Sequence, residues 1–339
     1  MISTRMTSSK NKKFLVIGSN SFSGSHFVDL VLSKGHKVFG ASRSKEPNKA
    51  FLSYKKSNFL KNFKFIKFDI NKDVDFITRL IIKEKITHIV NFSAQSMVGQ
   101  SWENPADWYN TNVLGTINFL NKIKNIKYLK KYIHVSTPEV YGSTKKNLKE
   151  SRNYFPSTPY AISRAACDMH LYSLFKNYKF PVVFTRAANV YGAGQQLYRI
   201  VPKAILSLKL KRKLMLDGGG KSKRSFIYIT DVTKATYALC SKSTNGEVYH
   251  ISTTKLISIK DLINMIFKLK KTSTKGYVKI SSDRIGKDSL YSLSSNKIKK
   301  ETNWKPKVSL RDGLTQTIKW AENNIKVLKN QPDIYIHKK

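Results

Sequence analysis

The sequence predicts an α/β fold: an open, doubly wound parallel sheet with a smaller, discontinuous carboxy-terminal lobe. Three observations predict it. Short apolar runs at 13–17, 37–42, 63–70, 87–92, 131–136 and 181–186 alternate with helical stretches, the pattern of parallel strands joined by crossover helices. The first run feeds a glycine-rich turn and then an amphipathic helix. The length of 339 residues suffices for one such sheet domain with an attached lobe.

Composition narrows the class. No apolar run approaches the roughly 20 residues that span a bilayer. Residues 1–12 lack the apolar middle of a signal peptide and read as a disordered tail. Cys167 and Cys240 are the only cysteines; they fit a reducing cytosol and give no disulfide or metal framework. A cytoplasmic protein without a metal or membrane contact is expected. The net charge is +41, from 62 Lys and Arg against 21 Asp and Glu. The basic residues are spread along the chain and not gathered into a patch. That pattern reads as Lys being the default surface residue, so nucleic acid is not the expected partner. A positive field also favours a diphosphate ligand.

In chain order, strand 13–17 runs into Gly18, Ser21, Phe22 and Gly24, and the helix that follows ends near Lys34. Gly18 permits a tight turn, Gly24 permits close helix–strand packing, and Ser21 is small enough to keep the approach. The helix amino end offers N–H groups to a pyrophosphate. This is the Rossmann-type context of a dinucleotide site. Strand 37–42 ends at Arg43, a cation where an acid often holds a ribose hydroxyl; it suits a 2′-phosphate, which favours NADP over NAD. Strand 63–70 ends on Asp69 and Ile70, and a helix at 74–84 follows. Strand 87–92 leads into Ser93, Ala94, Gln95 and Ser96, and Asn112 opens the next helix. Beyond strand six come Asn189, Arg199, a basic helix at 203–213, a turn at 216–220 and Arg224. A strand at 247–252, a helix at 258–270 capped by Ser258, Arg284 and a closing helix complete the chain.

The chain is organised around Thr137, Glu139, Tyr160 and Arg164. Thr137 and Glu139 follow the buried strand 131–136. Ser157 or Thr158 caps the next helix, and Pro159 suits its first turn. Tyr160 and Arg164 then share one helix face. A strand-end hydroxyl, a phenol and a cation one turn on form a proton-handling set. The cation lowers the phenol pKa, and the deprotonated Tyr160 takes a proton from an alcohol.

These motifs resemble the extended short-chain dehydrogenase/reductase family, and Thr137 with Glu139 is similar to its nucleotide-sugar 4,6-dehydratases, of the dTDP-glucose and GDP-mannose kinds. The resemblance covers about residues 13–325. It departs at Arg164, where the family has Lys, at Pro138, where Asp or Ser is usual, at Met97 for His, and at Ser21 for the middle Gly. It implies that NADP or NAD lies on Gly18, Ser21, Phe22, Gly24, Arg43, Asp69, Ile70, Ser93, Ala94, Tyr160 and Arg164. It implies that a nucleotide diphosphate sugar meets Gln95, Ser96, Asn189, Arg199, Arg224 and Arg284, and that Asn112 orders the main chain or a water beside the cation. The dinucleotide domain would be 13–188 plus about 226–254, the sugar lobe about 189–225 and 255–325, and 326–339 a basic tail. Pairing through helices 103–125 and 159–177 would give a homodimer or a dimer of dimers.

The expected activity is a 4,6-dehydratase reaction giving a 4-keto-6-deoxy sugar nucleotide, with Thr137, Glu139, Tyr160 and Arg164 as catalytic residues. Pro138 cannot serve as the acid for loss of the 6-hydroxyl, which motivates a nucleotide-sugar 4-epimerase or reductase as the alternative. Glu139 favours dehydration, since 4-epimerisation needs no base at carbon 5. A third reading is a non-catalytic nucleotide-binding protein with a polyanion partner.

Overall fold

The computed structural model describes residues 12–143, 147–282 and 292–338; residues 1–11 of the expected tail, and Arg284, lie outside them. Strand β1 (Lys13–Ile17), helix α1 (Phe22–Ser33), β2 (Lys37–Ser42), β3 (Phe63–Lys67), α2 (Val74–Glu84) and β4 (His88–Asn91) open the chain. Helix α3 (Pro105–Tyr109), a π-helical turn (Asn110–Gly115) and α4 (Thr116–Ile123) run on as one stack. Then come β5 (Lys131–Val135), α5 (Pro159–Tyr178), β6 (Val182–Ala187), β7 (Asn189–Tyr191), α6 (Ile200–Lys209), β8 (Leu214–Asp217) and β9 (Lys223–Tyr228). The chain closes through α7 (Ile229–Lys242), β10 (Val248–Ile251), β11 (Leu256–Ser258), α8 (Ile259–Leu269), β12 (Val278–Ser281), α9 (Asn296–Thr302), α10 (Leu310–Asn323) and α11 (Ile325–Leu328).

Seven strands form one sheet in the order β3-β2-β1-β4-β5-β6-β10, every neighbouring pair parallel. The chain winds outward from β1 through β2 and β3, then restarts at β4 on the other side. The carboxyl ends of β1 and β4 therefore border a crevice, the usual ligand position of such sheets. Phe14, Leu15, Val16 and Ile17 are at most 1% exposed, because helices cover both faces. One apolar layer holds Ile77, Phe119, Leu171 and neighbours under α2, α4 and α5; the other holds Phe27, Val31, Leu239 and neighbours under α1 and α7.

A separate apolar cluster forms the smaller lobe, with Ile205, Leu216, Phe226, Leu262, Ile266 and Leu314 inside it. It contains two small sheets, β11-β9-β7 and β12-β8. The helix expected at 203–213 starts earlier and stops earlier, at Ile200–Lys209. Pro202 belongs in its first turn, where a missing N–H costs nothing, and Lys211 at φ 54° ends it. Three more lysines, Lys85, Lys179 and Lys271, also take left-handed φ values at the ends of α2, α5 and α8. No helix among the described residues is long and apolar enough to cross a membrane.

Candidate active site

The crevice at the carboxyl edge of the sheet is lined first by the turn after β1. Gly18 has φ 82° and donates its N–H to the Ala41 carbonyl at 2.7 Å. A Cβ on Gly24 would stand 2.1 Å from the Gly18 carbonyl oxygen, so the close approach of turn and helix requires glycine there. The Ser21 hydroxyl accepts from the Gly24 N–H at 3.1 Å and caps α1. The serine that replaces the middle glycine thus organises the helix end. Phe22 is buried in the lobe's apolar cluster, joining the two halves.

Around this turn, Asp69 accepts from the Asn71 N–H at 3.0 Å, and Ile70 is buried beneath it. Ser93 donates its N–H and hydroxyl to Asn91 Oδ1, at 2.9 and 2.6 Å, which fixes the start of the Ser93–Ser96 stretch. Ala94 is half-buried. Asn112, 1% exposed, clamps Gln95: its Oδ1 accepts from the Gln95 N–H at 2.8 Å and its Nδ2 donates to the Gln95 carbonyl at 3.0 Å. The same Nδ2 donates to Ser163 Oγ at 2.9 Å, beside Arg164.

The proton-handling set comes from a short turn and a long helix. Thr137 caps the 3-10 turn Pro138–Tyr141, accepting from the Glu139 N–H at 3.3 Å. Pro138 fills the first position of that turn, where its N–H would have no partner in the turn, so the substitution leaves the backbone intact. Thr158 caps α5 by accepting from the Ala161 N–H at 3.2 Å, with Pro159 at the first helical position. Tyr160 and Arg164 follow, both buried, and the Thr137 hydroxyl is near enough to the phenol to pull its pKa down.

The phenol of Tyr160 lies above its usual pKa, not below it as expected from the sequence. Burial raises it most and the Glu139 carboxylate raises it further; Arg164, Thr137 and Arg199 pull it down and do not win. Part of Arg164 is engaged away from the phenol. Its Nη2 donates to the Val135 carbonyl and to His134 Nε2, the latter at 3.0 Å, so that end of the guanidinium is held beneath β5. Arg164 Nε and Nη1 are buried with no hydrogen-bond partner. Buried donors demand acceptors, and a dinucleotide ribose supplies hydroxyl oxygens. The glycine turn, the capped helix end and these two donors fit NAD(P).

Three residues behind the site were not foreseen. Asp168, fully buried, accepts from Arg186 Nη2 at 2.8 Å and from Ser136 Oγ at 2.7 Å, and its other oxygen lies 3.5 Å from His134 Nε2. His134 is held well below its ordinary pKa by burial, Arg164 and Arg186, so it is neutral and can accept from Arg164. Asp168 lies four residues after Arg164, and this spacing was the available signal; His134 and Arg186 sit inside apolar strands and gave none.

On the lobe side, Arg199 Nη2 reaches Ser96 Oγ at 3.5 Å, and its charge acts on Tyr160. Asn189 opens β7 and is half-buried. Arg224 donates to the Lys223 carbonyl at 2.9 Å. Arg43 Nη2 and Gln95 Nε2 both donate to the Lys338 carbonyl, at 3.1 and 2.8 Å. The structure therefore gathers the Gly18–Gly24 turn, residues 93–96, Thr137, Glu139, Tyr160, Arg164 and Arg199 around one cleft.

The chain is similar to known proteins over most of its length. The family model for GDP-mannose 4,6 dehydratase matches residues 15–317. The human dTDP-D-glucose 4,6-dehydratase is 34% identical over 326 residues, covering 94% of this chain and 92% of its own. A mouse protein of the same name is 37% identical over 275 residues, covering 79% of this chain and 77% of its own. Among solved structures, the dTDP-glucose 4,6-dehydratase of Streptomyces venezuelae with NAD bound superposes with a TM-score of 0.86 at 28% identity, covering 93% of this chain and 98% of that one. The chain thus belongs to the GDP-mannose 4,6 dehydratase family, as an NAD(P)-dependent nucleotide-sugar 4,6-dehydratase of the extended short-chain dehydrogenase/reductase type.

Proposed function

We propose that the chain converts a nucleoside diphosphate hexose to its 4-keto-6-deoxy form, with dTDP-glucose as the substrate. The observation that carries this reading is the meeting of Thr137, Glu139 and Arg164 around Tyr160, with two buried donors of Arg164 unfilled, beside the crevice that the glycine turn lines. The named activity of the human, mouse and Streptomyces relatives supports the substrate. NAD(P), held by the glycine turn and Arg164, would supply reversible hydride transfer with the sugar.

Each protein residue then has a role. Tyr160 takes the proton of the 4-hydroxyl, and Thr137 holds the same oxygen. Arg164 steadies the phenolate that Tyr160 must become, and its Nε and Nη1 bind the cofactor ribose. The new 4-ketone acidifies carbon 5, and Glu139 takes that proton. Since Pro138 carries no proton, Glu139 passes its own to the departing 6-hydroxyl, which leaves as water. A solvent proton later returns to carbon 5. Gly18, Ser21, Phe22, Gly24, Asp69, Ile70, Ser93 and Ala94 cradle the cofactor. Gln95, Ser96, Asn189, Arg199 and Arg224 face the diphosphate sugar from both sides, and guanidinium geometry suits bidentate phosphate contact. Arg43 supports NADP and the NAD-bound Streptomyces structure supports NAD; titration with both decides, and Arg43→Asp is expected to weaken NADP alone. We also assign a cytoplasmic homodimer. Exposed Leu114 between α3 and α4 and exposed Ile162 and Met169 on α5 support pairing through those helices, and light scattering tests it.

The test is proton NMR of the chain with dTDP-glucose, GDP-mannose, CDP-glucose and UDP-glucose, each with NAD and NADP. A new methyl doublet from a 6-deoxy sugar is expected with dTDP-glucose. The absence of Asp or Ser at Pro138 favours one competitor, a 4-epimerase, and an isomeric sugar without the doublet would establish it.

A further inference from the structure

The carboxy-terminal segment does not trail away from α11. It returns across the cleft in an extended form, with alternate residues facing opposite ways. Asp333 accepts from Arg212 Nη1 at 3.0 Å on the lobe. Tyr335 sets its ring edge-on to Tyr198, with centroids 5.5 Å apart, and its hydroxyl lies 3.5 Å from Gln95 Oε1. His337 stacks on Trp108 at 5.1 Å and 11°, and its Nε2 lies 2.7 Å from Asp107 Oδ2. The Lys338 carbonyl then accepts from both Gln95 and Arg43. Six residues thus step from the lobe, over α3, to the edge of the sheet.

Two features show that this is recognition and not simple burial. Ile334 and Ile336 point outward, 66% and 56% exposed, while the polar and aromatic residues between them face in. A segment collapsing for apolar burial would do the reverse. The second feature is topological. Arg43 follows β2 and Gln95 follows β4, and these strands flank β1 in the sheet. The glycine turn follows β1. A peptide carbonyl bonded to both side chains therefore bridges the mouth of that turn, on donors assigned above to cofactor and substrate.

We propose that residues 333–338 are a built-in competitor for the cleft, so that cofactor and nucleotide sugar enter only as this segment leaves. The inference rests on the reading of the cleft as the NAD(P) and nucleotide-sugar site. A segment closed nine-tenths of the time weakens apparent affinity about tenfold. The buried end of α11, at Leu328, lies upstream and is untouched by its removal.

The experiment compares three chains by calorimetric titration with NAD and with NADP: the full chain, a chain ending at Asn330, and a full-length Tyr335→Ala, His337→Ala variant. The shortened chain is expected to bind about tenfold more tightly, the double variant several-fold more tightly, and a synthetic peptide of residues 331–339 to reverse the gain. Equal affinity in all three overturns the competitor and leaves the cofactor site standing. Weaker binding on shortening also overturns it, since the segment would then be part of the bound site. No dinucleotide binding by any chain overturns the cofactor reading, and the competitor with it. The double variant keeps the question answerable if the shortened chain does not fold.

Discussion

The two sides of the cleft are built differently. On the sheet side, Thr137, Tyr160 and Arg164 are 7%, 9% and 1% exposed, seated on a capped turn and a 20-residue helix. Behind them the Asp168–Arg186 ion pair and the neutral His134 form a buried polar frame. On the lobe side, Arg199 and Arg224 are half-buried, and long side chains hold the contacts. The difference teaches where each task is placed. Proton transfer needs positions fixed before the substrate arrives, whereas recognition of a flexible diphosphate tolerates arms that adjust. Changes on the sheet side should therefore fall on kcat or on folding, and changes on the lobe side on KM.

The largest expected effect is at Tyr160. Tyr160→Phe should lower turnover by roughly 10²–10⁴-fold while dinucleotide affinity holds, measured by product NMR and calorimetry; turnover within tenfold of the parent would break the contrast. Next is the frame. Asp168→Asn leaves Arg186 buried without its carboxylate, and breaking such a pair costs about 3–5 kcal/mol. A lowered urea midpoint is expected, and an unchanged one would show the frame to be incidental. Third, Arg199→Gln should raise KM for the sugar nucleotide about tenfold, the worth of a hydrogen bond to a charged group, with kcat little changed. A fall in kcat alone would move Arg199 to the catalytic side.

The smallest effect is also the sharpest. Glu139 raises the phenol pKa of Tyr160 and Arg164 lowers it. Glu139→Gln should therefore bring the Tyr160 titration to lower pH and Arg164→Gln should send it higher, followed by ultraviolet difference absorbance against a Tyr160→Phe blank. Shifts of the same sign would separate Tyr160 from one of its neighbours.

Much of the sheet was legible because both its faces are covered. The apolar run 13–17 and the amphipathic helix at 74–84 fall at the positions read from the sequence. The strands β7, β8, β11 and β12 were not read, being three or four residues long and partly exposed, as Met215 and Ile280 show. The site residues were legible where a local motif carried them, as with Thr158 and Pro159 before Tyr160. The pairing of His134, Asp168 and Arg186 is assembled from two strands and a helix, and no spacing within one element announces all three. The returning segment was unreadable for a different reason: its apolar residues face water, so its pattern inverts the rule used to read it.

The left-handed lysines give the high charge another meaning. A non-glycine residue in that conformation costs about 1 kcal/mol or more, and Lys85, Lys179, Lys211 and Lys271 each occupy it. Four of the lysines behind the +41 charge thus stand past helix ends, where stereochemistry favours glycine, and are not gathered into a surface for an anionic partner. Lys85 and Lys179 stand near the amino edge of the sheet, opposite the cleft. Replacing them with glycine would relax the backbone and reduce the net charge without approaching the chemistry, which makes them a thermal-stability reserve open to engineering.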